Sequence, residues 1–258
     1  MRTYLEDLIY RLSETSEVRD RRFEFIILED ESINAFAAPG GIIGINLGMF
    51  LNTQREGELA SVMCHELAHL SQRHYARSQN RSSPLANALM ILASIAVAAA
   101  SRNPEAIVIA PAAMQQMSIN YTRSNEKEAD RIGFNNLVKA GFDPNDMTMM
   151  FQRMQDKYQR DDSEQFSYLM THPLPSERLT DMRIRADNIS KPSEGSFRDN
   201  LDFYFMQKRS EIWAEKDTKE LIKKYRKDLK SDQRNVSLSS RYGLALALKK
   251  DKNYEESF

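Results

Sequence analysis

The feature that most constrains this chain is the pentapeptide HELAH at residues 65–69. In an α-helix, positions i and i+4 project about 40° apart and lie one turn apart along the axis. Two imidazoles at these positions have Cβ atoms roughly 5–6 Å apart, so they can converge on one metal ion. The chain has four histidines, and two of them at this spacing are rarely accidental. We therefore predict a long helix over about residues 54–78.

Glu66 follows the first of these histidines directly. On the helix it flanks the metal position without reaching it, where it can hold a water molecule and accept its proton. This pattern is the HExxH signature of zinc peptidases. The alternative is a helix that merely carries two surface histidines. The signature predicts one zinc ion per chain, with His65 and His69 as ligands and Glu66 as the general base.

A catalytic zinc site needs a third protein ligand. The metzincin pattern requires Gly seven residues and His ten residues after the first His. Gln72 and Tyr75 occupy these positions and exclude that class. His74 lies five residues after His69, about 140° round a continuous helix, so we expect it to be solvated or to orient a ligand. The third ligand should then be a carboxylate on another helix.

The segment NEKEAD supplies the candidate carboxylates. Glu126, Asp130 and Gly133 fall at i, i+4 and i+7 and share one helical face. Gly133 and the adjacent Ala129 allow that face to approach the first helix closely. Glu128 lies about 200° from Glu126, so Glu126 is the preferred ligand and Glu128 is expected to be a solvated charge. Asp130 should orient an imidazole or donate a proton.

A second conspicuous motif is HPLP at residues 172–175. Its two prolines stiffen the chain beside His172, which is either a loop histidine that caps or packs, or a fourth zinc ligand. Four protein ligands close a zinc site, so a ligating His172 would make the enzyme latent until the loop at 166–175 moves away. Arg178 can stabilise a tetrahedral oxyanion, or it can form an exposed salt bridge.

Composition narrows the class of protein. The chain has 9 glycines and 8 prolines, few enough to favour a mainly helical structure. Lys and Arg total 36 against 37 for Asp and Glu, which argues against nucleic-acid binding. Cys64 is the only cysteine, so no intrachain disulfide can form. No signal peptide is recognisable at the start, so the protein is cytoplasmic or its signal peptide has been removed.

Hydrophobic periodicity predicts a mainly α fold with a small antiparallel β-sheet. If the strand over 42–46 lies at an edge of the sheet, an extended substrate can pair with it. The helical pattern runs to the end of the chain, so we expect a piece of a longer protein. The expected elements are a helix over 3–18, strands over 23–28, 35–38 and 42–45, and helices over about 118–140, 144–158 and 176–189.

Two apolar stretches, 84–100 and 104–117, lie between the two motif-bearing helices. At ~1.5 Å per residue the first reaches about 25 Å, short of a bilayer core of ~30 Å. They form either a buried helix pair, or a hairpin that contacts a membrane surface or an apolar client. Because 84–117 joins the two helices, we expect it beside the active-site cleft, gating substrate entry.

HELAH and EKEAD, with NAFAAPGG upstream and THPLPSERL downstream, resemble the HExxH/ExxAD zinc peptidases over about residues 1–190. That family includes membrane proteases of the Oma and Ste types, and the likeness is greatest to periplasmic members that act on outer-membrane barrel proteins. The resemblance implies a gluzincin-like peptidase domain and a regulatory histidine at the position of His172. It implies zinc ligands His65, His69 and Glu126, the general base Glu66 and the further catalytic residue Asp130.

The resemblance also implies a wider organisation. The expected division is a peptidase domain over 1–190, a linker over 191–197 and tetratricopeptide-like helical repeats over 198–258. The implied protein is a periplasmic zinc endopeptidase, without its signal peptide, that degrades misfolded or stalled outer-membrane proteins and assists their assembly. Its expected partners are such proteins and the barrel assembly machinery, with no nucleic acid and with peripheral membrane contact through 84–117. The competing interpretation is a non-proteolytic chaperone or assembly factor with a structural zinc.

Overall fold

A computed structural model describes residues 1–79, 123–160, 167–189, 197 and 199–253. The segment 84–117, with its predicted position beside the cleft and its predicted membrane contact, lies outside the described residues. The elements are α1 (Arg2–Thr15), β1 (Glu24–Leu28), β2 (Ala35–Ala38), β3 (Ile42–Asn46), α2 (Leu47–Asn52), α3 (Glu56–Ser71), α4 (His74–Gln79), α5 (Arg123–Lys139), α6 (Asn145–Arg160), α7 (Ser167–Thr171), α8 (Ser176–Asp187), α9 (Leu201–Ala214), α10 (Thr218–Asp228) and α11 (Arg234–Lys250).

The three strands form one mixed sheet in the order β1-β3-β2. β2 and β3 form an antiparallel hairpin, whereas β1 and β3 run parallel. The mainly helical fold is confirmed, but the prediction of a wholly antiparallel sheet is wrong. The tight turn at Gly40 and Gly41, both with positive φ, reverses the chain and brings β3 back beside β1 in the same direction. β3 is therefore central and not an edge, so the condition for pairing a substrate with 42–46 is not met.

The hydrophobic core surrounds α3, which is buried from Glu56 to His69. The helix packs against α5, α6, α1 and β2. At its closest contact with α5, a Cβ added to Gly133 would lie 3.0 Å from the Cα and the backbone nitrogen of His65. The predicted close approach of these two helices is confirmed. Any larger residue there would require the neighbouring backbone to move by a few tenths of an ångström, so glycine favours the close approach that brings the carboxylates of α5 to the histidines.

The predicted helix over 54–78 is interrupted after Ser71, and α4 begins at His74. Between them Arg73 adopts a left-handed conformation with φ of 53°, which is uncommon for a residue other than glycine. The interruption changes the direction of the chain immediately after the metal motif. It turns His74 back toward α3, whereas a continuous helix would place it about 140° away from His69.

The helices after residue 199 pack partly against the main core and partly against one another. Phe203 of α9 enters the main core and packs against Phe50 of α2, with ring centroids 6.3 Å apart. α10 and α11 share a smaller apolar cluster that includes Tyr225. The domain boundaries and the identity of these helices as repeats stay predictions. Within the described part of the chain, no helix has the length and apolarity needed to cross a bilayer.

Candidate metal centre and catalytic site

Four buried side chains converge at the centre of the molecule. They are His65 and His69 on α3, Glu126 in the first turn of α5, and His172 directly after α7. One nitrogen or oxygen atom from each lies within 4.8 Å of the corresponding atoms of the others. The structure thus brings together the three predicted zinc ligands and the predicted regulatory histidine. The described residues therefore contain a possible metal-binding group of three imidazoles and one carboxylate.

The donor atoms lie close to one another. Nε2 of His65 lies 2.9 Å from Nε2 of His69 and 3.4 Å from Nδ1 of His172. Oε2 of Glu126 lies 3.5 Å from Nε2 of His65. Oε1 of Glu126 lies 3.3 Å from Nε2 of His69 and 3.1 Å from Nδ1 of His172. Ligand atoms bound to a tetrahedral zinc ion at about 2.0–2.1 Å are about 3.3–3.4 Å apart. The five observed separations are close to these values, so the group is compact enough to hold one metal ion.

Asp130 supports the group from behind His65. One of its oxygens lies 3.0 Å from Nδ1 of His65, within ion-pair distance but outside regular hydrogen-bond geometry, on the side of the ring opposite the other donors. Arg178 donates to both oxygens of Asp130 at 2.7 Å, and its guanidinium also lies 2.7 Å from Glu126. Burial works to raise the pKa of Asp130, but Arg178 and His65 hold it below its ordinary value. This carboxylate therefore stays ionised and can act as a fixed acceptor.

Arg178 is buried, so the predicted exposed salt bridge is wrong. Its guanidinium also donates to the backbone oxygen of Pro173 at 2.6 Å. The residue thus joins two carboxylates of α5 to the loop that carries His172. Sequence alone could not identify these partners, because they depend on how α8 packs against α5. The predicted role of Arg178 at an oxyanion stays a prediction.

Burial favours the neutral form of every ionisable side chain in the group, and neighbouring charges decide whether each pKa nevertheless shifts toward the charged form. Burial works to lower the pKa of His65, but Asp130 and Glu126 overcome it and raise that pKa to about 9. Burial holds the pKa of His69 well below its ordinary value. Burial works to raise the pKa of Glu126, but the imidazoles of the group hold it well below its ordinary range. An ionised carboxylate thus faces a neutral His69 ring, which offers a lone pair to a metal ion.

Glu66 lies beside the group on α3 and is also buried. The backbone N–H of Ala37 in β2 donates to its Oε2 at 3.2 Å and fixes the side chain. Among the described residues, its other oxygen accepts no hydrogen bond, and it lies 3.5 Å from Nε2 of His172. Burial raises the pKa of the Glu66 carboxyl. The side chain therefore has one held oxygen and one oxygen available toward the centre of the group.

Tyr168 is a site residue that sequence reasoning missed. Its ring stacks on the His172 ring, with centroids 4.5 Å apart and planes at 21°. The two residues are four apart across the end of α7, and the N–H of His172 bonds the carbonyl of Tyr168 at 2.9 Å. An aromatic residue at i−4 from the histidine was the available signal, because such pairs meet on one helix face. The stacking holds the ring of His172 in its present orientation.

His74 and Glu128 also lie next to the donor group, on the side of His69. His74 is fully buried, and its Nδ1 lies 3.0 Å from Nδ1 of His69. Its Nε2 lies 3.0 Å from Glu128, which also accepts from Arg77 at 3.1 Å. Of the two alternatives for His74, the structure excludes the solvated one. Glu128 is partly exposed, and its carboxylate lies outside the four-donor group.

Comparison with known proteins places this geometry in a family. Residues 1–186 match Peptidase family M48. The chain belongs to this family. It is 36% identical over 261 residues to the beta-barrel assembly-enhancing protease of Yersinia pestis, covering 98% of this chain and 52% of that protein. The predicted resemblance to metalloproteases of this kind is confirmed.

Other relatives agree with this assignment. The chain is 34% identical over 265 residues to the beta-barrel assembly-enhancing protease of Escherichia coli (strain K12), covering 98% of this chain and 52% of that protein. It is 27% identical over 176 residues to the mitochondrial metalloendopeptidase OMA1 of Schizosaccharomyces pombe, covering 68% of this chain and 50% of that protein. The chain thus spans about half the length of these curated relatives.

Proposed function

We propose that this chain is the peptidase part of a zinc-dependent endopeptidase that acts in the periplasm on misfolded or stalled outer-membrane proteins and assists their assembly. The observation that carries the proposal is a buried four-donor group with a glutamate beside it whose second oxygen is available. Membership of Peptidase family M48 and the names of the relatives support the same reaction class and the same client class. The barrel assembly machinery is the expected partner.

In this proposal His65, His69 and Glu126 would hold the zinc ion. The short separations of their donor atoms and the ionised state of Glu126 support this assignment. A zinc ion in this position supplies Lewis-acid chemistry, polarising a carbonyl and acidifying a water molecule. Asp130 holds the His65 ring in the tautomer that turns Nε2 toward the other donors.

Glu66 would act as the general base. The Ala37 N–H holds one of its oxygens, so the other oxygen can accept a proton from water and deliver it to the leaving amine. Burial raises the pKa of this carboxyl, which brings its basicity closer to what proton transfer near neutral pH requires. An extended substrate would have to pair with β2 rather than β3, because β2 is the outer strand on the side of Glu66.

His172 would keep the enzyme latent. Its Nδ1 occupies the fourth corner of the donor group, and its Nε2 faces the available oxygen of Glu66 at 3.5 Å. The ring therefore covers the position that water and substrate need. Because His172 lies in the connection between α7 and α8, it can move away from the donor group while α3 and α5 stay in place. Movement of this connection would open the site.

A second candidate function has an observation of its own. Four protein donors make a closed site, which is typical of structural zinc. A chaperone or assembly factor with such a zinc would use its helical C-terminal part to bind clients and would not need Glu66 at all. The two functions can also coexist in one protein.

Glu66→Gln in the full-length protein tests these alternatives. We expect the variant to bind zinc like the wild type, to lose cleavage of an unfolded outer-membrane protein, and to keep any assembly activity. Cleavage would be followed by gel electrophoresis with Glu177→Gln as the control, because Glu177 forms an exposed ion pair with Lys127. If the zinc-loaded wild type and Glu66→Gln are equally inert toward unfolded protein, even with His172→Ala in both, the protease proposal is wrong.

A further inference from the structure

We propose that His74 and Glu128 are positioning residues that fix the tautomer and the orientation of His69. The inference deepens the function proposed above and rests on it, because it concerns the same metal group. Nδ1 of His74 lies 3.0 Å from Nδ1 of His69, and Nε2 of His74 lies 3.0 Å from Oε2 of Glu128. These three side chains form a continuous row that leads from the donor group to the protein surface.

The direction of the hydrogen bonds in this row follows from the donor role of His69. Its Nε2 faces the donor group and must carry no proton if it binds a metal, so the proton of the ring is on Nδ1. Nδ1 of His74 must then accept the hydrogen bond that the Nδ1–H of His69 donates. The proton of the neutral His74 ring is therefore on Nε2. That N–H donates to Glu128, whose carboxylate can only accept. One arrangement of protons satisfies all three groups.

The backbone is arranged to make this contact. Arg73 is held with φ of 53°, and this turn is what returns His74 to the side of His69. An unusual backbone conformation persists only where the surrounding structure fixes it. His74 is fully buried, and both of its ring nitrogens are used in the row. Glu128 in turn is held by Arg77 at 3.1 Å.

Residues that orient a metal-ligating histidine commonly change metal affinity by 10–100-fold when they are replaced. The test is the zinc dissociation constant of the full-length protein, measured by competition with a chromophoric chelator. We expect His74→Leu to bind zinc about 10–100-fold more weakly than the wild type. His74→Asn should bind zinc more tightly than His74→Leu, because its amide oxygen can accept near the position of Nδ1. Glu128→Gln should weaken binding less than His74→Leu, and Glu177→Gln should not change it.

The pair of His74 variants separates positioning from packing. If the His74 ring only filled space, His74→Leu would bind zinc at least as tightly as His74→Asn. Zinc affinity would then not depend on whether the side chain at 74 can accept a hydrogen bond. Nitrogen NMR of the zinc-loaded protein gives a second readout, the position of the proton on each imidazole ring. The spectrum is simple, because the chain has four histidines. We expect the proton of the His69 ring on Nδ1 in the wild type. A proton on Nε2 in the zinc-loaded protein would contradict the assigned direction.

Zinc affinity within twofold of the wild type in His74→Leu, or equal affinities of the leucine and asparagine variants, overturns the inference. If His74→Leu fails to fold, Glu128→Gln decides, because its side chain is partly exposed: threefold weaker binding or more supports the inference, and a smaller change overturns it. A wild type that binds no zinc would remove the proposed function itself. If the wild type binds zinc and cleaves clients, and the His74 and Glu128 variants bind zinc as tightly as the wild type, only the positioning role is wrong.

Discussion

The imidazoles of His65 and His69 face the same donor group but are supported differently. Behind His65 lies Asp130, which is buried and bonded to Arg178 through both oxygens. Behind His69 the support passes through the neutral ring of His74 to a carboxylate near the surface. The first support is part of the folded core, whereas the second ends in a partly exposed ion pair. Changes on the His65 side should therefore cost folding stability and metal affinity, and changes on the His69 side mainly metal affinity.

Asp130→Ala should have the largest effect. The substitution removes the two hydrogen bonds that Asp130 accepts from Arg178, but Glu126 stays 2.7 Å from the guanidinium. The cost should therefore lie below the ~3–5 kcal/mol of a buried charge left unpaired, at about 2–3 kcal/mol. We expect the free energy of unfolding of the metal-free protein, measured in urea, to fall by about that amount. Zinc affinity should fall as well, because the His65 ring loses its acceptor.

Glu128→Ala is the matched change on the other side. Its carboxylate has a side-chain exposure of 31% and its partner Arg77 of 57%, so the loss of this ion pair should cost less than about 1 kcal/mol. We expect water to enter the partly exposed position and accept the hydrogen bond from Nε2 of His74. Equal losses of unfolding free energy in Asp130→Ala and Glu128→Ala would mean that the two supports do not differ as described.

Asp146 on α6 lies beside the first turn of α3 and extends the comparison to a buried aspartate that lacks a two-oxygen partner. Burial raises its pKa to about 7, although Arg55 lies 3.4 Å away. The folded chain therefore binds this proton more tightly than the unfolded chain, and stability falls as pH rises from about 4 to about 7. Relative to Asp146→Asn, the wild type should lose on the order of 2–4 kcal/mol across that range.

The measurement is the free energy of unfolding of both proteins at several pH values between 4 and 8. Asp181→Asn serves as the control, because the side chain of Asp181 is 46% exposed and pairs with Arg185 of the next turn. Its curve should run parallel to that of the wild type. Parallel curves for the wild type and Asp146→Asn would show that Asp146 is not a proton-binding group of the folded core.

Gly133→Val tests the contact on which both supports depend. A β-carbon at this position would lie 3.0 Å from backbone atoms of His65, so a branched side chain must push α5 away from α3. Overpacking of this kind costs about 1–3 kcal/mol. We expect that loss in urea unfolding, together with weaker zinc binding. Lys127→Val on the exposed face of α5 is the control, and equal behaviour of the two variants would contradict the close contact.

Much of the candidate site could be predicted because it depends on the period of single helices. The i, i+4 spacing brings His65 and His69 together, and the same spacing puts Glu126 and Asp130 on one face of α5. The glycine at 133 marked the place where the two helices meet. These relations are local in sequence, and neighbouring elements do not alter them.

The remaining features depend on contacts between distant parts of the chain. Pairing of β1 with β3 is decided by how the hairpin docks, so neither the direction nor the central position of β3 is visible in the strand pattern. The left-handed conformation of Arg73 has no mark in the sequence, since most such positions are glycine or asparagine. The position of His74 could not be predicted without it.

His172→Ala should have the smallest effect on metal affinity among changes to the four donors. His172 lies outside the regular helices, whereas His65, His69 and Glu126 come from α3 and α5. We expect the variant to retain zinc through these three residues and to cleave unfolded outer-membrane protein, and itself, faster than the wild type. Competition with a chelator measures the first effect and gel electrophoresis the second. Lower cleavage together with retained zinc would contradict the proposed latency.

The central claim is that the four-donor group is a zinc centre that His172 closes. Anomalous diffraction at the zinc absorption edge from crystals of the zinc-loaded protein tests it most directly. We predict one peak per chain, within bonding distance of Nε2 of His65, Nε2 of His69, a carboxylate oxygen of Glu126 and Nδ1 of His172. A peak elsewhere in the chain, with no density between these four side chains, would contradict the account.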